Sequence, residues 1–188
     1  MDTHIRRVGI DRRISIIKKK HEQRNKFDRR GLVKSPGRTI ESMKKLPIFQ
    51  GLYDDDYKKL ILICSKRLIP KDVILCHKGE ESLELYILLK GQLKVMLSPS
   101  SFLTYISPIG LVGEIGIFTG AERTATVMAS TESTVIRIYK RELFELFNKN
   151  TALSNRILMN VIADLANKLQ EDNDMIEELR TKKRTKIL

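Results

Sequence analysis

The sequence has no tryptophan, two cysteines and three histidines in 188 residues, and aromatic residues make up only 6%. Each scarcity removes a class of function. Cys64 and Cys76 are too few for a disulfide scaffold and are not spaced as a metal pair, so a reduced, cytoplasmic setting is expected. His4, His21 and His77 are scattered, no Cys/His spacing suits zinc, and no G-x-S-x-G occurs. Neither an enzyme nor a metal site is expected, and His77, beside Lys78-Gly79-Glu80, reads as a turn residue. No apolar run approaches the roughly 18–20 residues that span a bilayer. The first twenty residues carry seven Lys/Arg without the apolar stretch of a signal peptide. No transmembrane segment is expected.

What is abundant is positive charge, and it is unevenly placed. The net charge is +12. Residues 1–45 hold fifteen Lys/Arg against five Asp/Glu, residues 46–179 hold fifteen against eighteen, and residues 180–188 hold five and no acid. The excess therefore lies in the two tails. A basic arm on a mildly acidic body reads as an attachment for an anionic partner, an acidic protein first and nucleic acid or an anionic membrane behind it. Phe27 is the only aromatic residue in 1–45, so platforms for base stacking are lacking. Ile14 to Arg24 has the composition of a basic helix, and Lys34-Ser35-Pro36-Gly37-Arg38 that of a linker.

From Leu46 the pattern changes. Asp54-Asp55-Asp56 offers an N-cap and an acidic first turn for a helix through Leu60, Leu62 and Ile63. Strand-like runs follow at Val73–Cys76, Leu85–Leu89, Gln92–Leu97, Phe102–Ile106, Thr124–Ala129 and Thr134–Ile138. Seven of the ten glycines fall between Gly51 and Gly120, where the turns must be. Many short strands with regular turns predict a β-sandwich or barrel. A short helix is expected over Arg141–Phe147 and a long one from Ala152. Leu158, Ile162, Leu165, Leu169, Asp172, Ile176 and Leu179 are spaced 4, 3, 4, 3, 4, 3, the seam of a coiled coil with one acidic interruption. Such a stripe packs either on the chain's own barrel or on a second copy. Three heptads exceed one small barrel face, which favours a homodimer. The expected organisation is an arm and linker over 1–45, a domain over 46–151, and a helix with a basic tail over 152–188.

The segment from Gly110 to Thr126 carries the chemistry. Gly110, Gly113 and Gly116 let the backbone approach a ligand closely. A helical turn beginning at Glu114 would aim the amides near Ile115 and Gly116 at an anion, and Arg123 would add a guanidinium fork. Glu114 cannot bind phosphate but can accept from a sugar hydroxyl. Together these residues describe a site for a phosphorylated ribose. An ordinary turn closed by a Glu114–Arg123 ion pair is the plainer alternative.

Residues 46–150 resemble the cyclic-nucleotide-binding domain of bacterial catabolite activators and protein kinase A regulatory subunits. Leu46 to Leu52 looks like that family's entry segment, and Lys78-Gly79-Glu80 with Leu85 to Leu93 like its turn and central hairpin. Val112 to Thr126 looks like its phosphate-binding cassette, and Val127 to Ile138 like its closing strands. The resemblance implies an α+β fold: a jelly-roll barrel of about eight short antiparallel strands with flanking helices and a long C-terminal helix. It implies cAMP or cGMP as the ligand, held by Gly113, Glu114 (ribose 2′-hydroxyl), Ile115 and Gly116 (amides), and Arg123 (cyclic phosphate). Thr124 stands where bacterial members offer a hydroxyl to the phosphate and where cGMP-dependent kinases favour guanine; it also reads as a plain strand residue. Asn160, Asp164 and Asn167 on the long helix are candidates for the base. Catabolite activators carry a helix-turn-helix domain after this helix, whereas this sequence ends at Leu188. Operator binding by that route is not expected, and output is assigned to the arm, the dimer helix or a partner chain; the alternative is a ligand-free scaffold or interaction protein with the same fold.

Overall fold

The structure is a computed structural model that describes residues 36–98 and 100–185. The first helix among the described residues, α1 (Pro36–Lys44), begins with proline at a position where the missing N–H costs nothing. Met43 of α1 is fully buried, so part of the segment read as linker and arm belongs to the core. A 3-10 turn at Pro47–Phe49 buries Ile48 and Phe49. Helix α2 (Asp54–Leu62) has the expected acidic first turn, but its cap is Tyr53, whose amide donates to Asp56 Oδ2 at 3.3 Å.

Eight strands follow among the described residues: β1 (Cys64–Ile69), β2 (Ile74–Cys76), β3 (Glu84–Lys90), β4 (Leu93–Ser98), β5 (Ser101–Ile106), β6 (Gly110–Val112), β7 (Thr126–Ala129) and β8 (Ser133–Tyr139). All ladders are antiparallel. One sheet runs β1-β8-β3-β6 and the other β2-β7-β4-β5. Strand β3 shows why two layers form. Leu85 and Ile87 point to one core with Ile136, Ile138 and the helices, while Tyr86 and Leu88 point to a second with Val95, Val112, Val127 and Val135. Its buried run therefore lacks the alternation of a half-exposed strand. Cys64 and Cys76 lie in different cores, both as free thiols. Burial, then the nearby Glu142 charge, pushes the Cys64 thiol up to about 12, far from reactivity.

Helix α3 (Glu114–Thr119) sits between β6 and β7, and α4 (Lys140–Lys149) precedes the long helix α5 (Thr151–Thr185). Asn150 caps α5 by accepting from the Leu153 amide at 3.1 Å. Its contact with the barrel is a stripe of Leu153, Ile157 and Val161, one turn apart and almost fully buried. Arg156 donates to Gly51 O at 2.7 Å and lies 4.4 Å from the Tyr53 ring, fastening the same end. The barrel thus takes a stripe that crosses the heptad seam at Leu165, which is partly buried against the same core. Ile162, Leu169 and Ile176 of that seam remain exposed, with Met159 and Met175 beside them. The basic helix over Ile14–Arg24 lies outside the described residues, as does the side chain of Leu179.

Truncating Ile157, which is wholly buried under α5, should cost about 2–5 kcal/mol. Leu62→Ala, at a largely exposed position, should stay within about 0.5 kcal/mol. Urea denaturation of both variants checks the contrast.

Candidate functional site

The site is built around one buried cation. Arg123 is 5% exposed and follows the loop after α3. Its main chain is locked to the turn His77–Glu80: Arg123 N–H donates to Glu80 O and Gly79 N–H to Arg123 O, each at 2.8 Å. That turn is held by His77 N–H donating to Glu80 Oε2 and Lys78 N–H donating to Thr126 Oγ1, both at 3.0 Å. His77 therefore acts through its backbone, as a turn residue. The Arg123 side chain donates through Nη2 to Glu84 O, and its guanidinium lies 6.0 Å from the Tyr86 ring centroid. Its Nε and Nη1 are buried without a hydrogen-bond partner. Burial pushes the Tyr86 hydroxyl up and keeps it neutral.

The glycines make room for this arrangement. Gly113 caps α3 with φ 94°, and a Cβ there would collide with Arg123 Nη1. Gly116 is buried, and a Cβ on it would collide with Ser82 Oγ. Helix α3 closes through Thr119 Oγ1, which donates to Ile115 O at 2.7 Å and accepts from the Ala121 amide at 3.2 Å. Ile117, one residue past Gly116, anchors the short helix in the core. The amides of Ile115 and Gly116 fall in its first turn, where no intrahelical acceptor exists.

Glu114 is not paired with Arg123. Its Oε1 instead takes Lys168 Nζ of α5 at 2.9 Å, and the same ammonium reaches Asp164 Oδ2 at 2.9 Å. Burial lowers the Lys168 pKa, but the two carboxylates outweigh it and the net direction is upward, so the ammonium stays charged. Sequence reasoning missed Lys168, because a lysine among polar helix residues carries no local signal. The sequence did place Asp164 toward the site. Asn160 is used elsewhere: its Nδ2 donates to Ile48 O at 3.2 Å and Gln50 O at 2.8 Å, fastening α5 to the 3-10 turn. Asn167 and Thr124 are exposed.

A buried guanidinium with unmet donors, first-turn amides and a carboxylate lie around one loop, a set of groups chemically able to meet an anion and a hydroxyl. Residues 66–150 match the family described as "Cyclic nucleotide-binding domain". The barrel has the fold of that family. The cAMP-activated global transcriptional regulator of Escherichia coli is 30% identical over 121 residues, covering 62% of this chain and 56% of the regulator. The chain thus spans about half the length of the curated relatives it matches. The N-terminal domain of a Streptomyces coelicolor transcriptional regulator superposes with TM-score 0.60 at 25% identity, over 72% of this chain and 94% of that one. A cyclic nucleotide-binding domain from Methylobacillus flagellatus shares the fold with TM-score 0.66 at 20% identity, over 78% and 84% of the two chains.

Gly113→Ala should destabilise the domain by about 1–3 kcal/mol from left-handed strain alone, with the Arg123 clash added. Gly120→Ala, at φ 77° with nothing within 4 Å, should show the strain without the clash. Thermal melts of the pair check that Gly113→Ala is the more damaging.

Proposed function

We propose that this chain is a receptor for a cyclic mononucleotide, cAMP or cGMP, that works as a homodimer and passes occupancy to a partner rather than catalysing a reaction. The observation that carries the reading is Arg123: a guanidinium 5% exposed with Nε and Nη1 unpaired and its main chain fixed on both sides. A cation is kept in such a place at a cost unless an anion arrives to meet it. The cyclic phosphate supplies that anion, the α3 amides assist it, and Glu114 accepts from the ribose 2′-hydroxyl through the oxygen that Lys168 does not take. The relative named as cAMP-activated supports cAMP as the first candidate. Thr124, exposed beside Arg123, leaves cGMP open.

Dimerisation is assigned to α5. With Leu153, Ile157 and Val161 used on the barrel, the seam of Ile162, Leu169 and Ile176 lacks cover in its own chain. A second copy of the helix supplies it. Asp172, exposed on this seam, would face its counterpart and weaken the pair there. The basic arm, which lies mostly outside the described residues, is assigned to an acidic protein partner.

Calorimetric titration with cAMP, cGMP and a cyclic dinucleotide tests the ligand. Arg123→Ala should weaken binding of the preferred mononucleotide by about 2–5 kcal/mol, or roughly 30- to several-thousand-fold. Glu114→Gln, which keeps one acceptor, should lose less. An unchanged dissociation constant in Arg123→Ala would falsify the assignment. For the helix, sedimentation should show Asp172→Leu tightening the dimer and Leu169→Asp, at an exposed seam position, dissociating it.

A further inference from the structure

One buried hydroxyl is used by neither the fold nor the site. Ser82 is 2% exposed, and its Oγ is buried with no hydrogen-bond partner among the described residues. A hydroxyl kept from water and left unpaired lowers stability, and alanine would fill nearly the same space without that cost. Ser82 belongs to the segment that grips Arg123 on two sides. Glu80 O accepts from the Arg123 amide at 2.8 Å, and Glu84 O accepts from Nη2. Leu83 O, between them, accepts from the Lys140 amide at 2.8 Å, so the segment is also tied to the start of α4. It is anchored, and its neighbours must do any moving.

Those neighbours are α3 and the loop that joins it to Arg123. A Cβ on Gly116 would collide with Ser82 Oγ and stand 2.7 Å from Ala121 O. The hydroxyl and that carbonyl therefore face one another across the bare Cα of Gly116. Ala121 O accepts from no donor among the described residues. The loop has a pivot at Gly120, with φ 77° and nothing within 4 Å of a Cβ there. Gly116 and Ile117 are the buried residues of α3, which puts Ser82 behind the helix. Glu114, two positions before Gly116, projects from the opposite side. Ser82 thus reaches a ligand only through the cassette. We propose that Ser82 is a positioning residue: as an anion draws the first-turn amides and Arg123 together, the Ser82 hydroxyl donates to Ala121 O and fixes the loop between them. The inference rests on the cyclic-nucleotide reading above and names a residue that tightens the same site. Because the bond belongs to the occupied form alone, its free energy strengthens ligand binding rather than the fold.

Ser82→Ala removes the hydroxyl and keeps the small side chain that contact with Gly116 demands. Calorimetric titration of the full chain with cAMP and with cGMP should show the tighter of the two weakened about three- to tenfold. Thermal melts without nucleotide should show the variant at least as stable as the parent chain, since an unpaired hydroxyl has gone. A hydroxyl that served only the fold would give the opposite pattern, a lower melting temperature with affinity unmoved, and that result overturns the inference. Carbonyl NMR identifies the partner: nucleotide should move the Ala121 carbonyl resonance to lower field in the parent chain and not in Ser82→Ala. A variant that melts no lower and binds as tightly as the parent overturns the inference and leaves the receptor reading intact. So does an Ala121 resonance that shifts equally in both chains. A parent chain that binds neither nucleotide removes the receptor reading itself, and this inference with it.

Discussion

The burial of the Arg123 guanidinium is the constraint to which the rest of the domain answers. A charge removed from water needs compensation, and the chain supplies part of it: one carbonyl from Glu84 and an aromatic face from Tyr86. The remaining donors are left unmet. Holding such a group still requires rigidity on every side. The His77–Glu80 turn clamps its main chain, β3 presents Glu84 and Tyr86, and Gly113 gives up its side chain so that the guanidinium can lie against the backbone. The two cores behind β3 keep these parts from relaxing away.

The second organising contact is the bridge of Glu114, Lys168 and Asp164. One ammonium between two largely buried carboxylates joins the first residue of α3 to the middle of α5. It places a charge of the long helix within the loop that would receive a ligand. Changes at Glu114 are therefore felt on α5 directly, without passing through the barrel.

The sequence made the barrel legible through its glycines and short apolar runs, and six of the eight strands lie where those runs are. The two it hid have local reasons. In β1, Lys66 is exposed while Arg67 is buried, so polarity and burial do not alternate together. Strand β6 is three residues long and begins with glycine, too little for any pattern. That Gly113 and Arg123 belong together was readable because glycine spacing and a lone Arg carry meaning in order along the chain. Lys168 was not, because its partner Glu114 lies 54 residues away and only the packing of α5 unites them. The heptad spacing drew attention away from the stripe that the barrel takes, Leu153, Ile157 and Val161, which meets that spacing only at Leu165.

The way α5 is fastened has a mechanical consequence. Asn160 and Arg156 fix its base to the 3-10 turn and the segment after it. Lys168 is eight residues beyond Asn160 and Thr185 twenty-five beyond. At about 1.5 Å per residue these arms are roughly 12 Å and 37 Å long. A rigid helix turning about Asn160 would therefore multiply any sideways step at Lys168 about threefold at its tip. A displacement of one bond length beside the cassette becomes one large enough to exchange neighbours at the far end.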